Sequence, residues 1–255
     1  IIAPHGVLHY LPFAALRDGA SEQYLVEAYT ISYVPSVGVM PVLLANRNPN
    51  YHQALALGNP DNSLPYTEAE ANAVAQIYTT TLLLNEAATE QQIHETAANF
   101  DLLHIAAHGE MTPYDPLQSN LVLAPSNAGD ERCVAGHCDG ALTVGEVFGL
   151  KLANANLVVL SACKTDVGAQ STGDEVIGLT RGFLYAGAPT VITTLWNIAD
   201  VSTATLMAAF HRHWRDGDSA AQALRAAQLE TMQDHPHPAA WAAFLVNGDG
   251  SIGGD

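Results

Sequence analysis

Two apolar runs of this chain each end on a side chain that can take part in acid–base or nucleophilic chemistry. Leu102 to Ala107 stops at His108-Gly109, and Leu157 to Leu160 stops at Ser161-Ala162-Cys163. A thiol becomes a nucleophile once a neighbouring base takes its proton, and the intermediate it forms needs backbone N–H groups aimed at the oxyanion. His108 can serve as that base and Cys163 as the nucleophile. The N–H groups of Gly109 and Cys163 are the candidate oxyanion donors, and Gly109 has no side chain to hinder a substrate. Each residue alone also has a bland reading, as a buried inert thiol or a structurally satisfied histidine. Their pairing on two strand ends gives weight to the dyad.

The elements that must carry this pair alternate between apolar runs and amphipathic stretches, the pattern of a mostly parallel sheet covered by helices. In such a sheet ligands bind at the carboxyl ends of the strands. Strands are expected at Ala54–Leu57, Leu82–Leu84, Leu102–Ala107, Leu121–Leu123, Leu157–Leu160, Val191–Trp196 and Phe244–Val246. Thr67 with Glu70 reads as a capping box opening a helix through about Tyr78. Thr89 with Gln92, Thr143 with Glu146 and Ser219 with Gln222 mark three further helix starts. Helices are also expected over about Asp174–Tyr185, stopped by Gly187, and about Val201–Trp214. The Gly-rich tail Asn247–Asp255 is expected to fray.

Composition excludes several classes. The 255 residues are 48% hydrophobic and 14% charged, a folded profile with enough chain for a core. Nine Lys+Arg against 26 Asp+Glu leave a formal charge of −17. No basic stripe is present, so direct nucleic-acid binding or adhesion to anionic lipid is not expected. No apolar run is long enough to span a membrane, and three cysteines argue against a disulfide-framed secreted module. A cytoplasmic protein is the expectation. The chain reads as one domain over 1–255. Its apolar start, Ile1-Ile2-Ala3-Pro4, suggests an edge cut from a longer protein.

The blocks His104-Ile105-Ala106-Ala107-His108-Gly109 and Leu160-Ser161-Ala162-Cys163-Lys164-Thr165 resemble the two signatures of the CHAT family, caspase-like cysteine peptidases usually joined to tetratricopeptide repeats. Leu11-Pro12-Phe13, Gly58-Asn59-Pro60, Gly178-Leu179 through Phe183, Leu195-Trp196-Asn197 and Trp241-Ala242-Ala243-Phe244 agree in order along nearly the whole chain. The resemblance extends to separase. It implies a caspase-like three-layer α/β/α sandwich, with Cys163 as nucleophile, His108 as general base and Gly109 with Cys163 at the oxyanion. It implies regulated limited proteolysis of a protein substrate, with a tetratricopeptide-repeat region or activating partner, in settings such as bacterial defence and cell death. No metal or organic cofactor is required. The caspase pentapeptide around the cysteine is absent, and residues 126–138 look like a loop insertion.

Secondary candidates remain. In separase-like enzymes an acidic residue in this region binds a basic P1 side chain, which makes Asp200, with Asp174 and Glu175, a candidate S1 pocket for Arg or Lys. Asp200 reads equally well as a helix N-cap. Cys133, His137 and Cys138 are three soft ligands where a structural zinc normally takes four, and surface-loop coincidence is the favoured reading over zinc or a local disulfide. His104 falls on the same strand face as His108 by period two, as a second base or, preferably, a core or supporting group. The alternative function is a catalytically silent interaction domain of the same fold. A small-molecule hydrolase would need a serine nucleophile elbow, and none is present.

Overall fold

The computed structural model describes residues 1–48, 53–112, 114–126, 138–161, 174–196 and 200–253, and the side chains of 174–177, 200 and 201 lie outside the description. The strands are β1 (Gln53–Gly58), β2 (Thr79–Leu84), β3 (Leu102–Ala106), β4 (His108–Glu110), β5 (Asn120–Val122), β6 (Ala141–Thr143), β7 (Leu157–Ser161), β8 (Thr190–Thr194) and β9 (Phe244–Gly248). The helices are α1 (Leu25–Ala28), α2 (Met40–Ala45), α3 (Pro65–Ile77), α4 (Glu90–Thr96), α5 (Val144–Val147), α6 (Asp174–Ala186), α7 (Asp200–Arg215) and α8 (Ala220–Asp234).

Six strands form the main sheet in the order β2-β1-β3-β7-β8-β9, parallel except for the β8–β9 pair. Because side chains alternate across a strand, each buried strand feeds two cores. Leu55, Leu57, Leu103, Ile105, Val158 and Leu160 meet Ile93 of α4, Val144 and Val147 of α5, and Leu179 and Phe183 of α6. Their neighbours Ala54, Ala56, Leu102, Leu157 and Val159 face α3, α7 and α8, packing on Leu206, Phe210, Trp214 and Leu224. The caspase-like three-layer α/β/α arrangement is therefore present. Small residues on β1 let α3 lie close: a Cβ on Gly58 would stand 2.6 Å from the Thr67 carbonyl oxygen.

A second, antiparallel sheet, β4-β5-β6, leaves the carboxyl end of β3. His108 therefore opens β4 and is not the last residue of β3, so the period-two argument placing it on one face with His104 fails. The Thr67–Glu70 box is also corrected. Helix α3 starts earlier, at Pro65 behind Leu64, and Thr67 sits inside it. The Thr67 hydroxyl donates to the Leu64 carbonyl and accepts from Asn59 N–H. Proline at the first helical position, with φ preset and no N–H to satisfy, makes the earlier start favourable. The other three caps form as expected, with Thr89, Thr143 and Ser219 accepting from the N–H groups of Gln92, Glu146 and Gln222.

The glycine-rich tail is not frayed through its described part. Gly248 N–H donates to the Tyr33 carbonyl and Tyr33 N–H to the Val246 carbonyl, so β9 holds the N-terminal segment beside it. Asp249 is 1% exposed and pairs with Arg47, while Ile252 is buried. Gly248 needs its glycine: φ is +92°, and a Cβ would meet the Pro189 carbonyl oxygen at 2.2 Å. Small residues there permit close backbone packing rather than fraying. Among the described residues no helix is long and apolar enough to cross a membrane.

Candidate active site

Strands β3 and β7 are hydrogen-bonded neighbours, with Ala106 directly opposite Ser161. His108 lies two residues beyond the first and Cys163 two residues beyond the second. Neighbouring strands run ~4.8 Å apart, so β3 and β7 end side by side, each two residues short of its signature residue. Cys163 itself lies outside the described residues, as do the side chains of Asp174, Glu175 and Asp200. Asp174 opens α6 and Asp200 opens α7.

His108 is part-exposed, with its Nε2 at 2.9 Å from the Ser63 hydroxyl and 3.8 Å from Asp61 Oδ2. Ser63 Oγ lies 2.8 Å from either Asp61 carboxylate oxygen, so a His108–Ser63–Asp61 chain runs outward from the ring. Burial works to raise the Asp61 pKa. The Ser63 hydroxyl and N–H and the positive charge of His108 outweigh it, holding Asp61 below the usual carboxylate range. The loop presenting these groups is firmly built. Asn59 Oδ1 accepts from Leu64 N–H, Asn59 Nδ2 donates to Asn85 Oδ1, and Asn59 and Asn62 take left-handed φ of 53° and 62°. Asn tolerates that conformation where most side chains do not. Sequence reasoning missed Asp61 and Ser63. The same strand-end rule, applied to β1, points to them, because β1 is the other neighbour of β3.

Gly109 is buried and faces Leu121 across β4–β5. A Cβ there would sit 3.4 Å from Met111 Cε and 3.8 Å from the Asn120 carbonyl oxygen, ordinary contact distances. Packing within the described residues therefore does not require glycine at this position.

Beneath the β3 and β7 ends lies a wholly buried polar cluster. Ser161 O–H donates to Glu70 Oε2 at 3.0 Å, and Glu70 Oε1 stands 3.1 Å from His104 Nε2, at ion-pair distance but off the hydrogen-bond axis. His104 Nδ1 is 3.0 Å from His211 Nε2, and Tyr78 O–H donates to the His211 carbonyl. Burial first, and the neighbouring His104 second, hold His211 well below its ordinary pKa, so it is neutral. His104 is thus a core group bound to α3 and α7, and the structure does not bring it to His108. Glu70, read from sequence as a cap partner, is the carboxylate that binds the cluster together. Its signal was an acid on the sheet-facing side of a helix.

Cys138 is engaged in a disulfide, whose partner lies outside the described residues along with Cys133 and His137. A disulfide was one of the alternatives the sequence left open for this cysteine, and the Cys138 sulfur is not available as a thiolate ligand.

Comparison with known proteins settles the family. The CHAT domain family model matches residues 1–249. The chain belongs to the CHAT domain family. Tetratricopeptide repeat protein 28 of Homo sapiens is 27% identical over 97% of this CHAT chain, and its Mus musculus counterpart is 26% identical. This chain spans 12% of the length of each. The fold is similar to separase in the Saccharomyces cerevisiae separase–securin complex, with a TM-score of 0.62 at 17% identity, covering 94% of this chain and 14% of that one. It is also similar to the Arg-specific cysteine proteinase gingipain R, with a TM-score of 0.57 at 12% identity, covering 87% and 54%. The domain therefore has a caspase-like, protease-like fold.

Proposed function

We propose that this CHAT domain is a cysteine endopeptidase using Cys163 as nucleophile and His108 as general base. The observation that carries the reading is the β3–β7 register, which pairs Ala106 and Ser161, the residues two positions before His108 and Cys163. His108 takes the thiol proton and the Cys163 sulfur attacks the scissile carbonyl, with the oxyanion received by the N–H groups of Gly109 and Cys163. The C–N bond breaks as His108 returns the proton to the leaving amine. Water, deprotonated by His108, then hydrolyses the thioester and frees the thiol. The Ser63 hydroxyl and the Asp61 carboxylate lie beside the imidazole, where they orient the ring.

Asp200, Asp174 and Glu175 are proposed to receive a basic P1 side chain. The arginine specificity named for gingipain R and the formal charge of −17 support a basic cleavage segment. The substrate is a protein cut at limited sites. Control by a tetratricopeptide-repeat region or other partner is supported by the repeat-protein relatives and by the separase–securin assembly. A cytoplasmic role in bacterial defence or cell death completes the reading.

A fluorogenic peptide library scanning P1, incubated with the wild-type chain and with Cys163→Ala, tests it. Cleavage after Arg or Lys that disappears in Cys163→Ala is the expected result. Cleavage surviving Cys163→Ala overturns the nucleophile, and a preference for acidic or apolar P1 overturns the acidic pocket.

A further inference from the structure

A second set of reactive side chains meets at the joint between α4 and α5. Thr89 caps α4, Glu90 is its first residue, and His94 follows one turn later on the same helix face. Glu146 reaches the joint from α5, held there by the Thr143 capping box. One ligand atom from each of Glu90, His94 and Glu146 lies within 4.8 Å of the other two.

Glu90 is 0% exposed, and its two oxygens are treated differently. Oε2 accepts from Gly140 N–H at 3.1 Å, whereas Oε1 is buried with no hydrogen-bond donor and stands 3.6 Å from His94 Nε2. That separation is too long for a hydrogen bond. It is close to the ~3.4 Å expected between two ligands each ~2.1 Å from one tetrahedral ion. A buried carboxylate oxygen without a hydrogen bond leaves desolvation cost uncompensated, and a cation between Glu90 and His94 would offset it.

The surroundings suit a metal in a second way. Gly140 N–H orients the Glu90 carboxylate, and Thr143 N–H and O–H both donate to Glu146 Oε2 at 2.8 and 2.7 Å. Outer donors of this kind fix ligand orientation at metal centres. One imidazole and two carboxylates match a borderline divalent ion with a remaining coordination position, whereas calcium needs six or more oxygens.

We propose that Glu90, His94 and Glu146 bind a divalent transition-metal ion, with zinc the best match. The site is structural. It ties α4 to the β6–α5 corner, and β6 pairs with β5, which pairs with β4, the strand that begins at His108. It is independent of the peptidase reading.

The test uses the full chain carrying Cys163→Ala, so that the proposed nucleophile contributes no thiolate, stripped with chelator and dialysed against zinc. Expected are one bound zinc per chain by mass spectrometry and a melting temperature several degrees higher with zinc. Adding Glu90→Gln or His94→Gln should weaken zinc affinity by more than ~100-fold, since even orienting partners of metal ligands are worth 10- to 100-fold. Glu146→Gln, on a part-exposed side chain, is the variant to use if burial makes Glu90→Gln unfold. Circular dichroism of each metal-free protein checks folding. Absence of stoichiometric zinc, or zinc retained at full affinity by folded His94→Gln and Glu146→Gln, overturns the site. A melting shift with calcium and none with zinc overturns the choice of metal.

Discussion

His104 and His108 belong to one hexapeptide, yet their surroundings differ completely. His104 is wholly buried between β3, α3 and α7, with His211 and Glu70 beside its ring nitrogens. His108 is 26% exposed by side chain at the mouth of the sheet, with a hydroxyl and a carboxylate beside it. A histidine that must exchange protons needs access to solvent or substrate, and one that holds elements together needs to be shielded from both. The motif places the two environments four residues apart, so the partly exposed His108 follows directly on a strand whose His104 is locked into the core.

The comparison breaks first if Glu70 proves dispensable. Glu70→Ala removes the only carboxylate of the buried cluster and leaves Ser161 and His104 without it. The expected loss is about 3–5 kcal/mol, seen as a melting temperature lower by ~10 °C. His108→Ala should do the reverse, cutting turnover roughly 10²- to 10⁴-fold while the melting temperature moves by no more than ~2 °C. Equal melting losses in the two variants would erase the distinction between the histidines.

A pH titration of stability sharpens it. His211 is held neutral in the fold by burial and His104, with Glu70 and Tyr78 the other titratable groups against the cluster. A depressed folded pKa means its contribution is present in full above the ordinary histidine value of 6.5 and is lost as pH falls from there. The slope expected from this group is at most about 1.4 kcal/mol per pH unit. Urea melts from pH 7.5 to 5 should show it in the wild type and a flatter line in His211→Gln. Smaller still is Ser63→Ala, expected to slow peptide cleavage roughly 2- to 10-fold, the worth of one hydrogen bond.

Most of the scaffold was legible in the residue pattern. Apolar runs such as Leu157–Leu160 can only be strands buried on both faces, and side-chain caps such as Thr143 with Glu146 are local enough to read directly. The strand ends that precede His108 and Cys163 were legible for the same reason, Ala106 and Ser161 being paired across β3 and β7. The failures share a cause. Glu70 looked like a cap because a carboxylate three residues after Thr is a local signal, whereas its partners His104 and Ser161 arrive through tertiary packing. The tail looked loose because it is glycine-rich, but Gly248 admits the Pro189 carbonyl and Gly250 the Ser32 side chain, both distant in sequence. Asp61 and Ser63 sit in a turn whose importance depends on which strand lies next to β1.

The junction between Tyr33 and β9 bears on how the domain is made. A chain emerging N-terminus first releases Tyr33 and Arg47 long before their partners Val246, Gly248 and Asp249 exist, the Arg47–Asp249 pair being 202 residues apart. At ~5–20 residues per second of synthesis, that is a wait of roughly 10–40 s with apolar strands already outside. High contact order of this kind slows closure. Nascent chains of this domain therefore have a long interval of exposure to chaperones and proteases before the last strand arrives.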